Sequence, residues 1–303
     1  MFHVEQNSQV PIQSCPLCGA TDSRSALELL DYHLTKESFT LMDCAFCGFR
    51  FTSPRPNPSS IQRYYASEVY LSHQSNSRTF LSLAYRVLRR IALRIKAAEI
   101  FKYAKTGSLL DIGCGTGEFL NYSASRGFLP VGVEPNISAR NSAIARRSLT
   151  IVSRLEDATS GIPYRVITLW HVLEHLENPH HSIEQIHSML AERGHLFIAV
   201  PNRDSWDASH YGKYWAAWDV PRHCSHFRTQ DVVKLLEAHN FEVVSTRRMW
   251  FDAYFIALLS ERYRGKPSMV SWGLSIIIGS LSNTISLLSG RPTSSSLYVA
   301  RRK

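Results

Sequence analysis

From residue 107 to the end of the chain, short apolar runs alternate with segments whose apolar positions recur every three to four residues. The runs at 109–112, 130–133, 166–170, 195–200, 241–246 and 296–301 have the length and β-branched content of strands. The segments 138–147, 182–192 and 229–238 carry the helical period, with Thr229 placed to cap the last of them. Strand and helix in strict alternation predict an α/β fold with a doubly wound, mostly parallel sheet.

The stretch 251–292 breaks that alternation. It holds Trp272, Leu274, Ile276, Ile277, Ile278, Leu281, Ile285, Leu287 and Leu288, interleaved with Ser, Gly, Asn and Thr. No uninterrupted apolar run approaches the roughly 20 residues of a spanning helix. The expectation is an insertion whose helices cover a cleft or form a homodimer contact, with a foot on a membrane surface as the third reading. On the other side of the sheet region lie three parts: a cysteine module at 10–53, a linker stiffened by Pro54, Pro56 and Pro58, and a helical segment near 78–105. The linker and helical segment together (54–105) are expected to cover substrate, with Tyr64, Tyr65 and Tyr70 either over a cleft or in packing. The main domain is expected at 106–303.

Chemistry is densest where the first strand of that domain ends, at Leu109-Leu110-Asp111-Ile112-Gly113-Cys114-Gly115-Thr116-Gly117-Glu118. Alternate glycines let the backbone turn sharply and lie against a ligand. A dinucleotide fingerprint would be G-x-G-x-x-G, whereas Glu118 puts a negative charge at the helix start, so a cofactor without phosphate fits better. Glu134, at the end of the next strand, is placed to accept hydrogen bonds from ribose hydroxyls.

This run resembles motif I and the acidic motif of class I S-adenosylmethionine-dependent methyltransferases. The resemblance implies a Rossmann-like seven-stranded sheet with an antiparallel seventh strand. It implies a cofactor site of Asp111, Gly113, Cys114, Gly115, Gly117, Glu134 and Pro135, with Trp170 and His171 on the methionine side and Asp157 on the adenine amine. The segment 169–179 contains Leu173-Glu174-His175, similar to the stretch after the fourth strand of that family. Ubiquinone-pathway O-methyltransferases have a related Glu-x-x-Glu-His segment implicated in metal binding; here His171 replaces the first Glu, and Arg165 replaces the usual Asp of the strand. Metal at His171, Glu174 and His175 and a cofactor-lining role are both open.

The loop 206–227 combines three Trp with Asp, Arg and three His on the ligand side of the sheet. A neutral His can take the acceptor's proton during methyl transfer. His223 and His226 are the candidate bases and Arg222 the group that orients a polar or anionic acceptor; loop-ordering hydrogen bonds are the other reading of both histidines.

Cys15-x-x-Cys18 and Cys44-x-x-Cys47, each followed by Gly, have the spacing of a zinc ribbon, which predicts a structural Zn²⁺ on four thiolates. Module plus domain resembles bacterial methyltransferases with an N-terminal zinc module, among them deoxysugar C-methyltransferases. That implies a small-molecule acceptor such as a nucleotide-linked sugar or cell-surface glycan precursor. The net charge of +9 keeps a tRNA or rRNA methyltransferase open, although the Asn/Asp-Pro-Pro-Tyr/Phe motif of amino-methylating enzymes is absent. A ubiquinone-type O-methyltransferase and a non-catalytic adaptor are further alternatives. The first residues lack a basic stretch leading into an apolar run, so the expected location is the cytoplasm.

Overall fold

A computed structural model of the chain describes residues 9–57, 60–65, 80–147, 149–159 and 163–303. Tyr70 lies outside them.

The large sheet is built from β6 (Gly107–Ile112), β7 (Phe128–Val133), β8 (Thr150–Val152), β9 (Tyr164–Trp170), β10 (Leu190–Pro201), β12 (Phe241–Arg248) and β13 (Ser295–Arg302). Their order is β12-β13-β10-β9-β6-β7-β8, with β13 antiparallel to both of its neighbours. The chain starts in the middle at β6, runs outward to β8, then returns to the other side of β6 at β9. That reversal opens a crevice at the carboxyl ends of β6 and β9. β9 and β10 read as nearly continuous apolar runs because helices cover both faces: Val166, Ile167, Leu169 and Leu196 through Val200 are fully buried.

The flanking helices are α1 (Phe80–Phe101), α2 (Glu118–Ala124), α3 (Ile137–Arg147), α4 (Pro179–Met189) and α6 (Thr229–Ala238). Two local expectations are corrected. α4 starts and stops three residues early, because Asn178 caps it with Pro179 in the first turn and β10 follows without a loop. Arg228, not Thr229, is the cap of α6: the Asp231 carboxylate accepts the Arg228 backbone N–H at 2.8 Å, while Thr229 Oγ1 takes Asn202 Nδ2 at 2.9 Å.

The cysteine module contributes β1 (Gln9–Val10), β2 (Ser23–Leu30), β3 (Ser38–Cys44), β4 (Arg50–Thr52) and β5 (Arg55–Pro56). Its four-stranded sheet is completed by β11 (Ser225–His226), a piece of the aromatic loop: Ser225 pairs with Phe51 and His226 with Arg50. Module and loop therefore share one hydrogen-bonded ladder. The rest of the loop contains the short helix α5 (Trp206–Tyr211). The insertion between β12 and β13 is an antiparallel hairpin of α7 (Asp252–Tyr263) and α8 (Ser268–Ser289).

Candidate functional site

All three glycines of the loop after β6 have positive φ, at 71°, 54° and 70° for Gly113, Gly115 and Gly117. A Cβ at Gly113 would lie 2.5 Å from Val172 Cγ2, and one at Gly117 2.8 Å from Leu149 Cδ1, so both positions are closed by packing as well as by torsion. Nothing lies within 4 Å of a Cβ built on Gly115. The Cys114 thiol turns away, to where a Cβ on Gly132 would sit 2.6 Å from its Sγ, so Cys114 is the packing partner of β7. Glu134 holds the loop: its carboxylate accepts the N–H groups of Gly115 and Asn136, each at 2.8 Å. Each oxygen keeps a second lone pair for a ligand hydroxyl.

Around this cradle, Asp111 is buried and accepts from Thr168 Oγ1 at 2.6 Å. Burial pushes its carboxyl up to about 7, against the Thr168 bond and the Lys96 charge. Lys96 lies 4.7 Å over the ring of Trp170, whose buried indole N–H has no partner among the described residues. Pro135 and Asp157 are exposed beside the cradle, Asp157 within 3.4 Å of Ser153 Oγ.

The acceptor side lies past the end of β9. His171 has φ of 58° and presents Nε2 to Asp252 at 3.0 Å and Nδ1 to Glu174 at 3.5 Å. Burial opposes its charge, yet the two carboxylates outweigh burial and push its pKa up to about 10. With both ring nitrogens facing carboxylates, the ring clamps α7 to the sheet instead of offering a nitrogen to cofactor or metal. Glu174, on the 3-10 turn Leu173–His175, is 1% exposed, and neither carboxylate oxygen accepts a hydrogen bond. Beside it stand His175 and His223; one ligand atom from each of the three lies within 4.8 Å of the others. Both imidazoles are oriented through Nδ1, His175 by Arg222 O at 3.0 Å and Tyr65 Oη at 3.1 Å, His223 by Ala217 O at 2.9 Å. An Nδ1–H bonded to a carbonyl leaves the Nε2 lone pair free. Burial, aided by His223, pushes His175 down to about 4, so its ring is neutral at pH 7.

The family model for a methyltransferase domain matches residues 80–246. The chain belongs to this methyltransferase family. A curated relative, the ubiquinone biosynthesis O-methyltransferase of Glaesserella parasuis serovar 5, is 33% identical over 107 residues, 31% of this chain and 45% of the relative. The Pectobacterium atrosepticum enzyme of the same name is 29% identical over 177 residues, 53% of this chain and 70% of the relative. The chain thus spans less than half of the Glaesserella protein. Among solved structures, magnesium protoporphyrin IX methyltransferase from Synechocystis PCC 6803 with bound SAH superposes with a TM-score of 0.52 at 15% identity, covering 81% of this chain and 99% of that one. The sheet is that of a class I S-adenosylmethionine-dependent methyltransferase domain, as the glycine run implied.

In this methyltransferase the loop residues separate. Arg222, expected to orient an acceptor, is 1% exposed and committed to the protein: its guanidinium donates to Asp31 at 3.0 Å, to Asp219 at 2.6 and 2.9 Å and to Tyr64 O at 3.0 Å. His226 is locked in β11, with Nε2 3.1 Å from Thr52 Oγ1, and burial, reinforced by His223 and nearby arginines, holds its pKa well below the usual range. Thr52 Oγ1 already donates to His223 O at 2.7 Å, so His226 Nε2–H is the donor of that pair. Only His223 of the three faces the Glu174 carboxylate group. Sequence reasoning named Glu174 and His175 but joined them to His171; it put Tyr65 over a cleft or in packing, gave Asp31 no place, and left Asp219 without a role although it stood in the same loop motif as Arg222.

The four module cysteines converge, with all Sγ atoms within 4.8 Å. Cys15 and Cys47 are 3.7 Å apart and Cys18 and Cys44 3.6 Å, near the ~3.8 Å edge of a tetrahedron with Zn–S bonds of ~2.3 Å. Gly19 and Gly48, at φ 77° and 69°, close the two knuckles with N–H bonds to Cys15 O and Cys44 O at 2.9 Å. The donor set fits Zn²⁺, which would be held by Cys15, Cys18, Cys44 and Cys47 and tie the two knuckles together.

Proposed function

We propose that the protein transfers the S-adenosylmethionine methyl group to a hydroxyl oxygen of a small-molecule acceptor at the Glu174–His175–His223 trio. The observation that carries this reading is the buried Glu174 carboxylate, whose only side-chain contact among the described residues is the His171 ion pair at 3.5 Å, flanked by two imidazoles oriented through Nδ1, with His223 Nε2 3.9 Å from Asp219 Oδ2. The His171 charge offsets that of Glu174 but leaves most of its lone pairs without donors, which a ligand can supply. An acceptor hydroxyl is such a donor: Glu174 orients it, and His223 Nε2 takes its proton as the oxygen attacks the sulfonium methyl in line. In this reading the cradle at Gly113, Gly115 and Glu134 holds the donor, and Val172, the residue before the turn that carries Glu174 and His175, packs on Gly113.

The same trio has the donors for a divalent cation, one carboxylate and two imidazoles. A bound cation would lower the pKa of an acceptor hydroxyl. The curated relatives named ubiquinone biosynthesis O-methyltransferase favour transfer to oxygen, while the zinc module supports a sugar-linked acceptor through architecture alone. A nucleic-acid acceptor is not favoured, because Arg50, Arg203, Arg222 and Arg228 are turned inward onto Asp43, Asp31, Asp219 and Asp231. The test is transfer of labelled methyl from S-adenosylmethionine to panels of phenols, nucleotide-linked sugars and RNA, with Glu174→Gln in parallel. Labelled methyl ether abolished by Glu174→Gln is expected; label on carbon, or an unaffected variant, would overturn the assignment.

A further inference from the structure

Helix α8 is built inside out. Its buried residues are Ser271, Ser275, Gly279, Ser282, Asn283 and Ser286, whereas Met269, Ile276, Ile277, Leu287 and Leu288 are 61–88% exposed. The small inner stripe permits close approach to α7, since a Cβ on Gly279 would lie 2.6 Å from Tyr254 Cδ1 and 3.1 Å from its Cα. Polar bonds fix the rotation: Ser282 Oγ donates to Asp207 at 2.9 Å, Asn283 Nδ2 to Trp250 O at 2.9 Å and Arg248 Nε to Ser286 Oγ at 3.1 Å. The apolar side cannot turn inward without breaking them. On α7, Phe255 adds a 62% exposed ring level with the middle of α8. The most apolar side chains of α8 therefore face away from the protein, while Ile278 and, on α7, Ile256 and Ala257 pack inward against the aromatic loop.

Charge says what covers them. Between residues 262 and 291 there is no Asp or Glu, against four Arg and Lys. Arg262 and Lys266 are exposed at the turn between α7 and α8, and Arg291, past its far end, is half-buried with its guanidinium on Asp204 O and Ser209 Oγ. A second copy docked on this face would set cations against cations, while an anionic lipid surface neutralises them. Trp250 and Trp272, 39% and 42% exposed, suit the headgroup boundary. Among the described residues α8 is the one helix long and apolar enough to cross a membrane, but the bonds of its inner stripe hold it lengthwise on the domain.

We propose that the α7–α8 hairpin is an in-plane foot that docks on an anionic bilayer, with the outer face of α8 among the acyl chains and its flanking cations on the headgroups. Asp252, which opens α7, pairs with His171 beside the acceptor trio, so the foot stands next to the site. Docking itself does not depend on methyl transfer; an amphiphilic acceptor drawn from the bilayer does rest on that reading.

The test is flotation of the full-length protein with phosphatidylcholine vesicles and with vesicles containing phosphatidylglycerol. Binding to the anionic vesicles is expected, about tenfold weaker on neutral ones or at high salt. Ile276→Glu with Leu288→Glu should lower it at least about tenfold, with melting temperature and S-adenosylmethionine affinity unchanged because both side chains are exposed. Trp272 fluorescence should be quenched more by bromine near the headgroup than near the chain end. Absent vesicle binding, undiminished binding by the double variant, stronger quenching from the chain end, or a solution dimer that the double variant dissociates would each overturn the proposal. Methyl transfer to soluble acceptors is measured separately, so its loss leaves the docking result readable.

Discussion

Arg222 Nη2 and Asp31 Oδ1 meet at 3.0 Å across 191 residues of chain, on side chains 1% and 0% exposed. This pair joins the cysteine module to the aromatic loop at the point where Asp219 takes the rest of the guanidinium. Arg222→Ala leaves the buried Asp31 carboxylate and the half-buried Asp219 without a cation, and the expected loss of stability is about 3–5 kcal/mol. Urea unfolding measures it. Arg222→Lys should recover little, because an ammonium cannot serve both carboxylates and Tyr64 O in one plane. A variant as stable as the parent would return Arg222 to the acceptor.

The same carboxylates set an acid limit. Burial alone would raise the Asp31 pKa, but the Thr35 backbone N–H and Arg222 outweigh it and hold the carboxyl below its usual range; Arg222 likewise holds Asp219 down to about 2. A folded-state pKa below the unfolded value gives stability that is present above about pH 4 and lost as the pH falls toward 2. Melting temperature between pH 5 and pH 2 should therefore drop more steeply for the parent than for Asp31→Asn, with the curves converging at the acid end. Parallel curves would contradict the assignment.

For the cofactor, Glu134→Ala removes the group that fixes Gly115 N–H and leaves two lone pairs for the ribose. At about 1.5–3 kcal/mol for a hydrogen bond to a charged group, S-adenosylmethionine affinity should fall by about a hundredfold by calorimetry. Glu134→Gln, which keeps one acceptor oxygen, should fall between the two.

The glycine run and the strand–helix alternation were legible because they are local: φ preferences and apolar periodicity act within a few residues. The pairings that build the acceptor site are not local. Nothing near Ser225 says that it will pair with Phe51, 174 residues earlier in the chain, or that His226 will meet Thr52. His171 was joined to Glu174 and His175 because the three are adjacent in the chain, yet Asp252, on an inserted helix, draws its ring off and His223 takes its place. On α8 the three readings of the insertion stayed open because side-chain size, not hydrophobicity, sets its inner face: Ser275 and Gly279 occupy it and let α7 approach, which leaves Ile276 and Leu288 outside. Thr229 looked like a cap by residue type, but Asn202 and Tyr298 engage its hydroxyl.

The two loop histidines should part in kinetics. His223→Gln leaves Ala217 O without its donor but changes mainly the group facing Glu174, so turnover should fall by 10²–10⁴-fold, the usual range for removing a general base, with little change in melting temperature. His226→Gln disturbs the ladder with the module and should lower the melting temperature more than turnover per folded molecule. Equal losses in both variants would mean that neither acts as base.

Metal content bears on the shared sheet. One Zn²⁺ per chain is expected on Cys15, Cys18, Cys44 and Cys47, and Cys44→Ser should release it. Because β11 carries His226 and begins two residues after His223, loosening of the module should spread into the trio, and turnover should fall although no cysteine of the module belongs to the trio. Adding zinc back to chelated parent protein should restore both the fold of the module and turnover; adding it to Cys44→Ser should restore neither. Elemental analysis with a methyl-transfer assay on the same samples reads both, and full turnover in zinc-free protein would show that β11 holds its place through the ladder to Arg50 and Phe51 alone.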